Sequence, residues 1–143
     1  MVIEVYTDGS GNSFAKPGGW AFTIVVDGIK VYENSGNEVN ATNNTMELKA
    51  AVKGLEYVAK NYTPPVDVIL VSDSNLVLGF ASGAWNCKKL HLAVLANNLN
   101  VLYKQLNATQ RWVKGHSGNE HNENCDVLAK AAREKLIKEK PIK

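Results

Sequence analysis

Short runs of β-branched and aromatic residues alternate along this chain with longer stretches whose apolar positions recur at helical spacing. Val2 to Thr7 predicts a first strand, closed by the turn-rich cluster Asp8-Gly9-Ser10-Gly11-Asn12. Lys16-Pro17-Gly18-Gly19 is a second punctuated loop. Trp20 to Val26 and Lys30 to Ser35 predict a hairpin across Asp27-Gly28. The spacing then predicts a helix from Asn43 to Lys60, rich in good helix formers and stopping before Pro64-Pro65. Val66 to Val71 is nearly continuously apolar, as expected of a strand covered on both faces, and ends in Ser72-Asp73-Ser74-Asn75. A short helix from Asn75 to Ser82, a longer one from Leu90 to Leu106 and a short strand from Gln110 to Val113 come next. After the loop Lys114-Gly115-His116-Ser117-Gly118, a final helix runs from about His121 into the tail. The chain shows no internal repeat, low-complexity segment or linker.

Strand, hairpin, helix, strand, helices, strand, helix is a mixed α/β order. The helix after the hairpin acts as a crossover, so the Val66 strand is expected to lie parallel to the first. Both strands then end in an aspartate followed by Gly or Ser. Ligands of such sheets collect outside the carboxyl ends of the strands, which makes Asp8 and Asp73 expected neighbours at the mouth of the sheet.

Glu47 departs from the pattern of its helix. On a wheel of about 100° per residue, Ala51, Gly54, Leu55 and Val58 fall within about 80° of it. Lys49, Lys53, Glu56 and Lys60 occupy the opposite, solvated side. An acid heading the packing stripe, near the helix start, is either dipole compensation or a ligand aimed into a site.

Length and composition narrow the class. The 143 residues fit one domain over 1–143, large enough to bury a core without staples. No apolar run is long enough to span a membrane, and Met1 to Asp8 reads as strand, not as a signal peptide. Cys87 and Cys125 are too few for a disulfide framework, so the expected location is the reducing cytoplasm. Residues 88–143 hold 11 Lys or Arg against 5 Asp or Glu, a net of +6 within a chain of +2, leaving −4 for the first part. This asymmetry suits a polyanion partner with an acidic pocket elsewhere, although a solvated Lys-rich tail gives the same count.

Taken singly, Asp8 and Asp73 read as turn or cap residues, and Asp126 as dipole compensation ahead of an ordinary packing stripe. Taken together, Asp8, Glu47, Asp73 and Asp126 supply four carboxylates from two strand ends and two helices. Clustered carboxylates repel unless cations neutralise them, and an all-oxygen donor set points to Mg²⁺ or Mn²⁺. A zinc site from His116, His121, Cys125 and Cys87 has no CxxC or HExxH pattern behind it.

Four ordered runs resemble ribonuclease H of type 1: Tyr6-Thr7-Asp8-Gly9-Ser10, Thr42-Asn43-Asn44-Thr45-Met46-Glu47-Leu48, Ser72-Asp73-Ser74, and Val113 to Gly118 continuing through Asn122-Glu123-Asn124-Cys125-Asp126. His116 precedes Asp126 by ten residues, the family's spacing. The resemblance covers essentially the whole chain. It implies an α/β ribonuclease H-like fold: a five-stranded mixed sheet, the first three strands an antiparallel meander and two more parallel to the first, with helices on both faces. It further implies an endonuclease acting on the RNA strand of an RNA–DNA hybrid by two-metal-ion catalysis, leaving 5′-phosphate and 3′-hydroxyl ends. Asp8, Glu47, Asp73 and Asp126 are the implied ligands for two Mg²⁺ ions, with Mn²⁺ able to substitute, and His116 the implied aid to proton transfer and product release. Asn43 and Asn75 are implied minor-groove contacts and Thr42 a DNA-phosphate contact. By the same resemblance Gly9 and Ser10 are expected to allow close approach to the RNA and Trp85 to pack on a deoxyribose, although a lone Trp is more often a core residue. A monomer with no membrane association is expected.

The chain departs from the family pattern in two places. The segment after the first strand, Gly11 to Gly19, leaves Asn12 as the candidate for the family's phosphate-contacting asparagine. The basic protrusion of many members is reduced to Lys88-Lys89, which leads straight into Leu90-His91-Leu92-Ala93, with Lys104 the next lysine or arginine. Two rival readings remain at this level: a same-fold nuclease acting on DNA, and a catalytically silent nucleic-acid-binding module.

Overall fold

The computed structural model describes residues 1–11, 16–115 and 118–139. In chain order these form β1 (Val2–Ser10), β2 (Gly18–Val26), β3 (Ile29–Glu38), α1 (Asn43–Asn61), β4 (Asp67–Ser72), α2 (Asn75–Ser82), α3 (Leu90–Gln105), β5 (Thr109–Trp112) and α4 (Glu120–Glu139). The strands make one sheet of order β3-β2-β1-β4-β5. β1, β2 and β3 pair antiparallel, while β4 and β5 run parallel to β1, as the crossover argument requires.

The period of two along each strand divides the apolar residues between two layers. Ile3, Val5, Trp20, Phe22, Ile24, Val68 and Leu70 pack under α1, α2 and α3. Tyr6, Ala21, Val25 and Val71 pack under Cys125 and Ala129 of α4. On α1 the stripe predicted from the wheel is buried: Ala51, Gly54, Leu55 and Val58. Truncating Leu55, which has no exposed surface, is a change that costs about 2–5 kcal/mol in comparable cores. The opposite side is less uniformly solvated than the wheel suggests. Glu56 and Lys60 are exposed, but Lys49 pairs with Glu38 and Lys53 lies 5.9 Å from the Trp20 ring centroid. Long lysine stems cover neighbouring apolar surface while their charged ends find partners.

The hairpin turn forms at Asp27-Gly28, where both residues take positive φ (49° and 85°), as a two-residue turn matching the strand twist demands. Three strands are longer than their local sequence indicates. β1 continues through Asp8-Gly9-Ser10, because Gly9 and Ser10 pair with Trp20 and Gly19 of β2. β2 accordingly starts at Gly18, inside the expected loop, and β3 continues to Glu38, opposite Gly18. In each case strand pairing overrides turn propensity.

Candidate metal centre

Tyr6 of β1 and Val71 of β4 are register partners, so Asp8 and Asp73, each two residues further on, emerge side by side at the carboxyl end of the sheet. Glu47 reaches the same place from α1. The helix can do so because its backbone rests on Gly9: a Cβ there would lie 2.3 Å from the Glu47 amide nitrogen. Carboxylate oxygens of Asp8, Glu47 and Asp73 lie within 4.8 Å of one another. Among the described residues this is the group of His, Cys, Asp and Glu side chains able to hold a metal ion.

The cluster is electrostatically strained. Burial, then the neighbouring charges of Asp73 and Glu47, push the Asp8 carboxyl from its ordinary 3.8 up to about 8. The Gly9 amide, donating to Asp8 Oδ1 at 2.9 Å, opposes the shift without cancelling it. Burial also raises Glu47, from 4.5 to about 7, against hydrogen bonds from Ser74 and Asn43. Carboxyls held protonated by their own crowding near neutral pH are relieved by a hard divalent cation, which prefers oxygen donors. The residues present therefore fit Mg²⁺ or Mn²⁺.

Asp126 is not among the three carboxylates that lie within 4.8 Å of one another. It lies on α4, across the sheet from α1, and its Oδ2 pairs with Lys130 Nζ at 3.1 Å, one helical turn on. Its charge still reaches Asp8, as the smallest of the influences on that group. His116 and Asn12 lie outside the described residues. Among the described residues the zinc alternative does not assemble: Cys125 is buried beside Thr23 Oγ1 (3.3 Å), His121 packs on Tyr6 at 5.0 Å, and Cys87 Sγ bonds the Lys89 carbonyl.

The remaining predicted contacts surround the trio. Thr42 caps α1, its hydroxyl accepting from the Thr45 amide while its own amide donates to Thr45 Oγ1. Asn43 and Asn75 are exposed at the starts of α1 and α2. Gly9 and Ser10 are buried in the strand. Trp85 is not a core residue: 49 % of it is exposed. Sequence reasoning passed over three residues. Ser74, the N-cap of α2, also bonds Glu47. Gly115 places its backbone against the Asp73 carboxylate. The Trp112 indole N–H donates to the Asp73 carbonyl at 3.2 Å. The adjacency of Ser74 to Asp73 was a usable local signal, whereas the other two depend on where β5 ends.

A β3-β2-β1-β4-β5 sheet with helices on both faces and acids at the carboxyl ends of β1 and β4 defines a ribonuclease H-like architecture. RNase H1 of the halophilic archaeon Halobacterium salinarum superposes with a TM-score of 0.80 at 26% identity, over 94% of this chain and 99% of that one. LC11-RNase H1, isolated from compost and solved in complex with an RNA/DNA hybrid, has the same fold (TM-score 0.81, 21% identity, 94% and 99% covered). The RNase H family model matches residues 1–134, and the chain belongs to that family. A ribonuclease H of Caldanaerobacter subterraneus subsp. tengcongensis is 39% identical over 154 aligned positions, covering 98% of this chain and 96% of the relative.

Proposed function

We propose that this chain is an endonuclease that hydrolyses the RNA strand of RNA–DNA hybrids with the help of two divalent cations, Mg²⁺ or in its place Mn²⁺. The products are a 5′-phosphate and a 3′-hydroxyl. The observation that carries the reading is the convergence of Asp8, Glu47 and Asp73 within 4.8 Å, in a chain of the ribonuclease H family. The hybrid bound in LC11-RNase H1, a protein of like fold, supports the substrate class.

Asp8, Glu47 and Asp73 hold the cations, and Asp126 adds a fourth carboxylate from the opposite face. Such a pair, once bound, supplies activation of the attacking water and charge relief at the departing 3′-oxygen. The protein's own part is to orient the carboxylates and to oppose their protonation in part: Ser74 and Asn43 bond Glu47, and the Gly9 amide bonds Asp8. His116 moves a proton and eases product departure. Hybrid selection requires reading a 2′-hydroxyl on one strand and its absence on the other. Gly9, Ser10 and Asn12 approach the RNA and its phosphates. Thr42, Asn43, Asn75 and Trp85 meet the minor groove and the DNA strand. The chain works as a monomer, and it works in the cytoplasm, a location supported by two free cysteines. No helix among the described residues is long and apolar enough to cross a membrane.

The test offers hybrid, duplex RNA and duplex DNA in parallel, with Mg²⁺ and with Mn²⁺, to the parent and to Asp8→Asn. Cleavage of the hybrid's RNA strand by the parent, lost in the variant, is expected. Hydrolysis that persists unchanged in Asp8→Asn sinks the catalytic assignment, and cleavage of duplex DNA with the hybrid spared sinks the substrate.

A further inference from the structure

Past Asp126, α4 continues along a part of the sheet that the metal centre does not use. β4 stops at Ser72, one residue beyond the partner of Tyr6, while β1 runs on to Ser10. There Ser10 pairs with Gly19 of β2, and Gly19 with Asn37 of β3. Tyr6 packs under α4, so the period of two puts Asp8 and Ser10 on that same face. The second half of α4 is seated on this row. A Cβ on Gly19 would lie 2.1 Å from the Ala129 carbonyl oxygen and 2.8 Å from the Arg133 amide nitrogen. The Asn37 side chain donates to the Ala132 carbonyl at 2.9 Å. Arg133 therefore leaves the helix beside the row that Ser10 begins.

The acids around Arg133 are taken by other groups. Asp126 pairs with Lys130, Glu38 with Lys49, and Glu33 with Lys30 and Asn124, while Glu134 is exposed. No salt bridge among the described residues includes Arg133, and its Nε is buried without a hydrogen-bond partner among them. A buried donor with no acceptor is a cost that a native fold keeps for a reason. A half-buried arginine with an unpaired fork offers parallel N–H donors to a phosphate and has less side-chain freedom to lose on binding it.

We infer that Arg133 binds a backbone phosphate of the RNA strand close to the cleavage site. The inference rests on the hybrid-nuclease reading, which brings the RNA to Ser10 and the cut to the carboxylates. Arg133 follows Asp126 by seven residues, so the two share one side of α4 and stand about 10 Å apart along it. At about 3.4 Å per stacked nucleotide, that separation places the phosphate within about three nucleotides of the cut. The strand is the RNA because Arg133 and Ser10 lie on the α4 face, whereas Thr42 and Asn43, assigned to the DNA strand and the minor groove, lie at the start of α1 on the other face.

The test compares the parent with Arg133→Met, which keeps a long stem but loses the charge, and Arg133→Lys, which restores the charge. Binding of labelled hybrid is measured in EDTA, where no turnover occurs, over a range of salt. Arg133→Met is expected to bind about tenfold more weakly at about 50 mM salt and about threefold at about 200 mM, a slope of log K against log[salt] shallower by about 0.9. Arg133→Lys is expected to recover the parent's slope. A second measurement maps cleavage in Mg²⁺ on hybrids whose RNA strand carries a single neutral methylphosphonate. One position within about three nucleotides of a cut is expected to slow that cut in the parent and to have no effect in Arg133→Met. A methionine variant with the parent's slope, a lysine variant with the methionine variant's slope, or a sensitive position found only when the methylphosphonate is in the DNA strand overturns the inference. Should the methionine variant fold poorly, the slope of Arg133→Gln decides in its place. A parent inert on hybrid overturns the functional reading and this inference with it; an active parent whose uncharged variants match it overturns the inference alone.

Discussion

Gly115 sets its backbone against the side chain of Asp73: a Cβ on Gly115 would lie 2.9 Å from Oδ2. That distance is shorter than real Cβ contacts allow, so Gly115→Ala must displace either the carboxylate or the loop that leads into His116. Misplacing a catalytic group by about 1 Å costs up to about a hundredfold in rate. We expect Gly115→Ala to lose one to two orders of magnitude in kcat, with little change in melting temperature. Unimpaired kcat in single-turnover assays would show that Asp73 is not held by this contact.

Gly9 poses the same steric problem with backbone on the other side. A Cβ would sit 2.3 Å from the Glu47 nitrogen and 2.5 Å from the Met46 carbonyl carbon, atoms with no rotamer to change. Gly9→Ala should therefore push α1 off β1, costing about 1–3 kcal/mol as overpacking does. Urea denaturation measures it, and a midpoint equal to the parent's would refute the close approach.

Stability of the metal-free protein depends on pH in a direction that the carboxyl shifts define. Folded, Asp8 and Glu47 keep their protons up to about 8 and about 7; unfolded, they release them near 3.8 and 4.5. Between these values the folded chain binds more protons, so stability declines as pH rises. The contribution is complete below the unfolded values and lost as pH passes the folded ones. In EDTA the melting temperature should be lower at about pH 8.5 than at about pH 5, the difference should shrink in Asp8→Asn, and Mg²⁺ should close it. An Asp8→Asn chain with the parent's pH profile would remove the cluster as the cause.

On the proposed reading, Lys130 competes with the cations for Asp126. The pair is half-exposed on its lysine side, and such pairs contribute at most about 1 kcal/mol to stability. Lys130→Met should leave the melting temperature nearly unchanged and lower the Mg²⁺ concentration for half-saturation by about two- to fivefold. Titration calorimetry without substrate checks this. If affinity does not move, Asp126 is not part of the cation site.

Residues 83–89 alone connect α2 to α3, with Lys88 and Lys89 exposed and no basic protrusion between the helices. On the proposed reading, fewer phosphates are neutralised in consequence. The slope of log K against log[salt] for hybrid binding should be shallower than in a protrusion-bearing relative, by about 0.9 for each contact missing. Equal slopes for the two proteins would refute the expectation.

Much of the architecture was legible because its causes are local. Periods of 2 and 3.6 place the helices and strands close to where they lie, and the handedness of a crossover after β3 makes Asp8 and Asp73 neighbours from the sequence alone. The position of Glu47 on the buried stripe made it a candidate third carboxylate, with dipole compensation as the alternative. What the primary structure could not supply were contacts between residues far apart in the chain. Asp8-Gly9-Ser10 has the composition of a turn, yet it is strand because Trp20 and Gly19 pair with it and α1 needs Gly9 as its seat. Asp126 approaches from α4 on the other side of the sheet, where it pairs with Lys130 while its charge still reaches Asp8. Trp112 lies beside Asp73 because β5 ends level with Ser72 of β4, a register set by pairing and readable from neither strand alone.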